Sequence, residues 1–218
     1  MQKLVQGIRQ FQQTEYSRKE SLFAELATGQ APPTMFITCS DSRVDPNLIT
    51  GSDPGDLFVL RNAGNMIPYQ DAASGEVATI EYAVQALNVQ HIVVCGHSQC
   101  GAMKATLDPA SCNSLPSVAE WLKNSKDVVQ RTTRRHGEQS PERMLELVIQ
   151  ENVRMQLENL QSLEFVAAAL AEGRLQLHGW TYDIGKGAVE SLQPEPNEFV
   201  SVFDAGQYQV DESTAGLS

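Results

Sequence analysis

Two short clusters carry residue types that can do chemistry together. Cys39-Ser40-Asp41-Ser42-Arg43 closes the apolar run that begins at Met35, and His97-Ser98-Gln99-Cys100-Gly101 follows Ile92-Val93-Val94-Cys95. His97 and Cys100 offer an imidazole nitrogen and a thiolate within one turn, and Cys39 can add a second thiolate from a neighbouring strand. Soft thiolates with imidazole in a tetrahedral set select zinc over the oxygen-loving cations. Three protein ligands leave a fourth position open, which marks a catalytic zinc rather than a structural one. Taken singly, each part is more often structural: a lone His-x-x-Cys is weak, and Cys39 alone fits a packed thiol. Their joint placement beside Asp41 and Arg43 shifts the balance. A carboxylate next to a dication can accept a hydrogen bond from water on the metal, and a nearby arginine holds it ionised and oriented.

The elements that must bring the clusters together are legible in the hydropathy pattern. Met35-Phe36-Ile37-Thr38-Cys39 is short, β-branched or aromatic, and lies between Pro32-Pro33 and a polar cluster, so it reads as a buried strand. Leu57-Phe58-Val59-Leu60 and Ile92-Val93-Val94-Cys95 repeat that signature, and Leu175 to Tyr182 alternates as a fourth strand. Between them, Ser74 to Leu87 reads as a helix with Ser74 as N-cap, and Ser117 to Arg135 as another. Ser140-Pro141 opens a helix to about Leu160, and a last one spans about Phe165 to Glu172 before Gly173. Residues 2–28 fit one or two amphipathic helices, with Leu4, Ile8 and Phe11 along one stripe. The expected fold is α/β: a mostly parallel central sheet flanked by helices, with an N-terminal helical arm and sites at the carboxyl ends of the strands.

The expected division is an arm over 1–30, a zinc-binding α/β catalytic domain over 31–186, and an acidic C-terminal segment over 187–218. After Lys186 there are six acidic residues, no Lys or Arg, and Pro194 and Pro196. That stretch reads as loosely structured, either a solvated tail or a docking segment, with Phe199 to Phe203 able to form one more strand. The chain of 218 residues has a formal charge of −11, which repels phosphate backbones and anionic membranes and argues against nucleic-acid or membrane partners. No apolar stretch suits a signal peptide or a membrane span, so a cytoplasmic protein is expected.

With those residues in view, the two clusters resemble the zinc signatures of the β-class carbonic anhydrases. The resemblance runs from about Leu4 to about Asp183. It includes Pro54-Gly55-Asp56-Leu57-Phe58-Val59-Leu60-Arg61-Asn62-Ala63-Gly64-Asn65 and Ile80-Glu81-Tyr82-Ala83-Val84. It is strongest to the cyanobacterial carboxysomal members, through Phe36 to Cys39, Asp45 to Thr50 and Cys95 to Lys104. The resemblance implies Cys39, His97 and Cys100 as ligands of one Zn2+ per subunit, with Asp41 and Arg43 as the dyad that orients the zinc-bound hydroxide attacking carbon dioxide to give bicarbonate. It further implies Gln30 as a hydrogen-bond donor to substrate, Phe58, Ala63 and Tyr82 along a small apolar pocket formed partly across a dimer interface, and Gly101 beside the third ligand. A homodimer or larger homo-oligomer, a carboxysomal location and a carboxysome scaffold protein as partner belong to the same expectation.

Two positions depart from relatives. Ala63 stands where some carry a larger aliphatic residue, and Phe36 where the bicarbonate-regulated bacterial type has tryptophan, which favours a zinc open to water over one capped by Asp41. Two thiolates neutralise the dication, so activity is expected to rise through mildly alkaline pH. A carbon disulfide-type hydrolase would keep the same ligand set, and a scaffold-bound component would use zinc structurally. Cys95 reads as a packed thiol and Cys112, in a Ser/Asn-rich loop, as an idle one. His91 and His178 read as structural, His136 as a weak proton-shuttle candidate, and Arg131, Arg134 and Arg135 as a solvated helix face.

Overall fold

The computed structural model describes residues 1–69 and 74–208. In chain order the elements are α1 (Gln2–Gln13), α2 (Glu15–Arg18), α3 (Glu20–Leu26), β1 (Thr34–Cys39), α4 (Pro46–Thr50), β2 (Leu57–Asn62) and α5 (Gly75–Glu81), which runs on as a π-helical turn over Tyr82–Ala86. There follow β3 (His91–His97), α6 (Gly101–Leu107), α7 (Pro116–Trp121), α8 (Val128–His136), α9 (Pro141–Ser162), α10 (Glu164–Ala171), β4 (Gln176–Asp183), β5 (Ala188–Leu192) and β6 (Phe199–Ser201).

The sheet order is β2-β1-β3-β4-β5-β6, with the first four strands parallel and the last two antiparallel. This is the expected mostly parallel sheet with helices around it. β1 and β3 are central and almost wholly buried, which is why both read as uninterrupted apolar runs. β2 has the same composition yet lies at the edge, and Val59 is exposed, so its sequence alone overstates its burial. Ser74 caps α5 by accepting a hydrogen bond from the Val77 N–H, as its sequence position predicts.

α9 is the element that organises the site end of the sheet. Ser140 caps it and Pro141 fills its first turn. It crosses the sheet closely at Gly179, where a Cβ would stand 2.9 Å from both Leu157 Cδ1 and Val153 Cγ1, so only glycine lets helix and strand meet. Its buried amides hold the segment after β2: Asn152 Nδ2 donates to the Gly64 carbonyl (3.0 Å), the Ile67 N–H donates to Gln156 Oε1 (2.7 Å), and Asn159 Nδ2 donates to the Ile67 carbonyl (2.9 Å).

Three local expectations are corrected. Ser117 to Arg135 is not one helix: a 3-10 turn at Leu122–Ser125 separates α7 from α8, and the fully buried Ser125 donates its hydroxyl to Asn152 Oδ1 (2.6 Å). Arg134 and Arg135 are exposed as expected, yet Arg131 and Arg135 are not merely solvated. Together with Arg154 they converge on Glu151, which is 1% exposed, at 3.0, 3.4 and 3.5 Å. Over 187–208 the chain is more ordered than a loose segment: β6 supplies the extra strand expected within Phe199 to Phe203, β5 adds one that was not expected, and Arg154 donates to Asn197 Oδ1 and to its carbonyl. Cys112 is buried against the apolar cluster that also holds Cys39 and Cys100. The end of the acidic segment, 209–218, lies outside the described residues.

In the arm, α1 to α3 bury no residue, and Leu4, Ile8 and Phe11 remain exposed. Phe11, Tyr16 and Phe23 pack their rings on one another, and an ion pair between Lys19 and Asp53 ties the arm to the body. Among the described residues no helix is long and apolar enough to cross a membrane.

Candidate metal centre

Parallel pairing of β1 with β3 brings Cys39 and His97 to the same edge of the sheet, each as the last residue of its strand. The turn Ser98-Gln99 then reverses the chain so that Cys100 opens α6. That reversal requires Gln99 at φ 58°, a left-handed conformation that a residue with a Cβ adopts at a cost of about 1–3 kcal/mol. The outcome is a buried triad in which the ligand atoms of Cys39, His97 and Cys100 all lie within 4.8 Å of one another.

The hydrogen bonding around His97 defines what the triad can do. Its Nδ1 donates to the Ser98 carbonyl (2.9 Å), which leaves Nε2 with its lone pair free to point into the triad. Nε2 is buried and has no hydrogen-bond partner. An unpaired buried nitrogen facing two thiols is costly unless a ligand completes it. The donor set and the orphaned nitrogen fit a zinc ion.

The thiols are unequal. A hydrogen bond from Cys100, aided by the Gly64 and Asp41 N–H groups, outweighs burial and lowers the Cys39 pKa to about 4. The same contact with Cys39, together with burial, pushes Cys100 up. The Gly64 N–H reaches Cys39 Sγ at 3.4 Å from a turn at φ +81°, where a Cβ would meet Ala102 Cβ and Met66 Cε at 2.9 Å.

Asp41 lies beside this triad, its Oδ2 3.8 Å from His97 Nε2. Arg43 grips it bidentately, Nε to Oδ1 at 2.8 Å and Nη2 to Oδ2 at 2.7 Å, and the Arg43 N–H adds a third bond at 3.0 Å. These bonds hold the Asp41 carboxyl well below the usual carboxylate range. Arg43 Nη2 also donates to the Gln99 carbonyl (3.3 Å), linking the dyad to the strained turn between His97 and Cys100.

The expected pocket residues are brought together only in part. Phe58 and Tyr82 place their rings 6.1 Å apart, with Tyr82 half-exposed. Ala63 is exposed and its carbonyl accepts from Trp121 Nε1 (2.8 Å), and Gly101 is exposed at the start of α6. Gln30 is exposed on the connection from α3 to β1, and among the described residues no hydrogen bond links it to the triad. A cavity of about 820 Å³ passes the Ser98-Gln99 turn and is lined by Arg135, His136 and Arg154, but by none of Cys39, His97 and Cys100. Burial and the neighbouring Arg135, Arg154 and Arg143 lower the His136 pKa.

Residues 34–189 match the family model described as carbonic anhydrase. The chain belongs to the carbonic anhydrase family. Among its relatives, the carbonic anhydrase of Pseudomonas aeruginosa is 45% identical over 205 residues, covering 94% of this chain and 93% of that one. That of Synechococcus elongatus is 45% identical over 191 residues, covering 87% and 70%. The equal identities mean that similarity does not single out the cyanobacterial members. Of solved structures, the β-carbonic anhydrase CcaA is 44% identical with a TM-score of 0.89, covering 92% and 91%. One of two tetrameric β-carbonic anhydrases of Sordaria macrospora is 32% identical with a TM-score of 0.80, covering 88% and 95%. The β-class carbonic anhydrase fold and enzyme class expected from the two clusters are thereby established.

Sequence reasoning missed how the dyad's loop is held. Arg61, on β2, donates from Nε to the Cys39 carbonyl (3.1 Å) and from Nη2 to the Asp41 (2.7 Å) and Val44 (2.8 Å) carbonyls. The available signal was an Arg-Asn pair closing an otherwise apolar strand.

Proposed function

We propose that Cys39, His97 and Cys100 hold one zinc ion, and that the chain uses it for the reversible hydration of carbon dioxide to bicarbonate. The observation that carries the reading is the buried Nε2 of His97, unpaired between two thiols and beside an arginine-clamped carboxylate. When bound, zinc supplies Lewis acidity that brings the ionisation of water towards neutral pH. The protein's own part is orientation. Asp41, kept ionised by Arg43, can only accept a hydrogen bond from the attacking water or hydroxide, which fixes where its lone pair points.

Phe58, Ala63 and Tyr82 offer an apolar wall on which carbon dioxide rests, with Gly101 leaving room beside the third ligand. Within one chain that wall is open, and Gln30 is exposed. A second copy closing the pocket accounts for both facts and for the exposed stripe of Leu4, Ile8 and Phe11. The working unit is therefore a homodimer or a larger homo-oligomer. Stopped-flow carbon dioxide hydration by the zinc-loaded protein tests the proposal: activity should rise through mildly alkaline pH. Inactivity of the well-folded, zinc-loaded parent under both reducing and oxidising conditions would overturn the reading. A flat profile between about pH 6.5 and about pH 9 would contradict the stated pH dependence.

A further inference from the structure

We infer that Arg61 is a positioning residue for the reaction, a three-point clamp on the loop that carries Cys39, Asp41 and Arg43. Its guanidinium reaches across from β2 to three carbonyls of that loop, those of Cys39, Asp41 and Val44, at 3.1, 2.7 and 2.8 Å. The Asp41 carbonyl also accepts from the Val44 N–H (3.1 Å), so the backbone on both sides of the carboxylate is held. β1 ends at Cys39, and of the sheet's ladder only the Ser40 N–H bond to the Asn62 carbonyl (2.9 Å) extends past it. Beyond Ser40 the loop has no strand partner, and Arg61 takes that place.

The neighbouring residue does the same for the other side of the thiolate. Asn62 accepts from the Met66 N–H and donates to the Met66 carbonyl, both at 2.8 Å, closing the turn that aims the Gly64 N–H at Cys39 Sγ. The last two residues of β2 thus divide the work. Asn62 shapes the turn against the ligand sulfur, and Arg61 sets the direction of Asp41. The chemistry of the clamp is specific to arginine, because a planar fork of donors can span several fixed carbonyls, whereas a lysine ammonium on a flexible stem cannot hold them in one geometry.

The inference rests on the reading of Asp41 as the group that orients the nucleophile, and the test separates the two. Arg61→Lys and Arg61→Gln would be compared with the parent, Asp41→Ala and the double variant Asp41→Ala/Arg61→Lys. Metal content, melting temperature and the visible spectrum of the cobalt-substituted protein would be read alongside carbon dioxide hydration. The clamp predicts full metal content and a parent-like melting temperature for Arg61→Lys, with kcat/KM lower by about tenfold to a hundredfold and the fall in kcat rather than KM. It also predicts that Arg61→Lys changes the cobalt spectrum of the parent but not that of Asp41→Ala, and that the double variant is no slower than Asp41→Ala.

Parent-like activity and spectrum in both Arg61 variants would overturn the inference. So would losses that multiply in the double variant, or activity lost only in proportion to metal. An inactive parent would count against the proposed function instead, and the cobalt spectra would then decide the role of Arg61.

Discussion

Histidine clusters stand at both ends of β3, and they are built on opposite terms. At the carboxyl end, His97 turns an unpaired nitrogen towards two thiols, and the bond from Nδ1 to the Ser98 carbonyl leaves that nitrogen open. At the amino end, His91 Nδ1 and His178 Nε2 share a hydrogen bond of 3.1 Å, and His178 Nδ1 meets the Tyr208 hydroxyl at 3.1 Å. That hydroxyl also accepts from Trp180 Nε1 (2.9 Å) and lies 3.2 Å from Ser191 Oγ. Both nitrogens of His178 are satisfied within the protein, and burial followed by the nearby His91 lowers its pKa to about 4. One cluster is incomplete without a ligand and the other is closed. Residue type alone does not separate a site from a structural network, whereas the count of unsatisfied atoms does.

The largest contrast should come from deleting donors. Cys39→Ala, His97→Ala and Cys100→Ala are each expected to lose stoichiometric zinc and reduce carbon dioxide hydration to background, while His178→Gln keeps both. Zinc analysis with stopped-flow assay checks this, and full metal content in His97→Ala would break the comparison. Next in size is Asp41→Ala, expected to keep zinc and lose about a hundredfold in kcat/KM.

A subtler difference lies in protons. With the Cys39 thiol drawn down and the Cys100 thiol pushed up by their mutual contact, zinc binding at neutral pH should release about one proton per chain. Calorimetry in buffers of different ionisation enthalpy measures that number, and release of about two would show that Cys39 keeps its thiol proton.

The smallest effect belongs to the closed cluster. The folded-state pKa of His178 lies below its ordinary value of 6.5, so the unfolded chain binds more protons as pH falls from 6.5 towards about 4. Its contribution to stability is present above that window and is lost through it. Urea midpoints should therefore decline across this range in the parent, with a shallower slope in His178→Gln. Equal slopes would remove His178 as the source.

Much of this was legible in the chain. β1 and β3 announce themselves because a central parallel strand must be apolar on both faces, and their polar ends fall where such sheets place sites. The dyad was legible because Asp41 and Arg43 are close in sequence and adjoin Cys39. Arg61 was not, because its partners are backbone carbonyls 17 to 22 positions away, which carry no side-chain signature. β5 escaped because Ala188-Val189-Glu190-Ser191-Leu192 is short and half polar, and only its pairing with β4 makes it a strand. The break at Leu122–Ser125 follows from Ser125 donating to Asn152 on α9, a tertiary contact that overrides local helix propensity.

X-ray absorption at the zinc edge of the loaded protein tests the account most directly. Two sulfur scatterers at about 2.3 Å together with lighter nitrogen or oxygen scatterers are predicted, with one sulfur lost in Cys39→Ser if that variant retains metal. A shell of four sulfurs, or one without sulfur, would contradict Cys39, His97 and Cys100 as the ligand set.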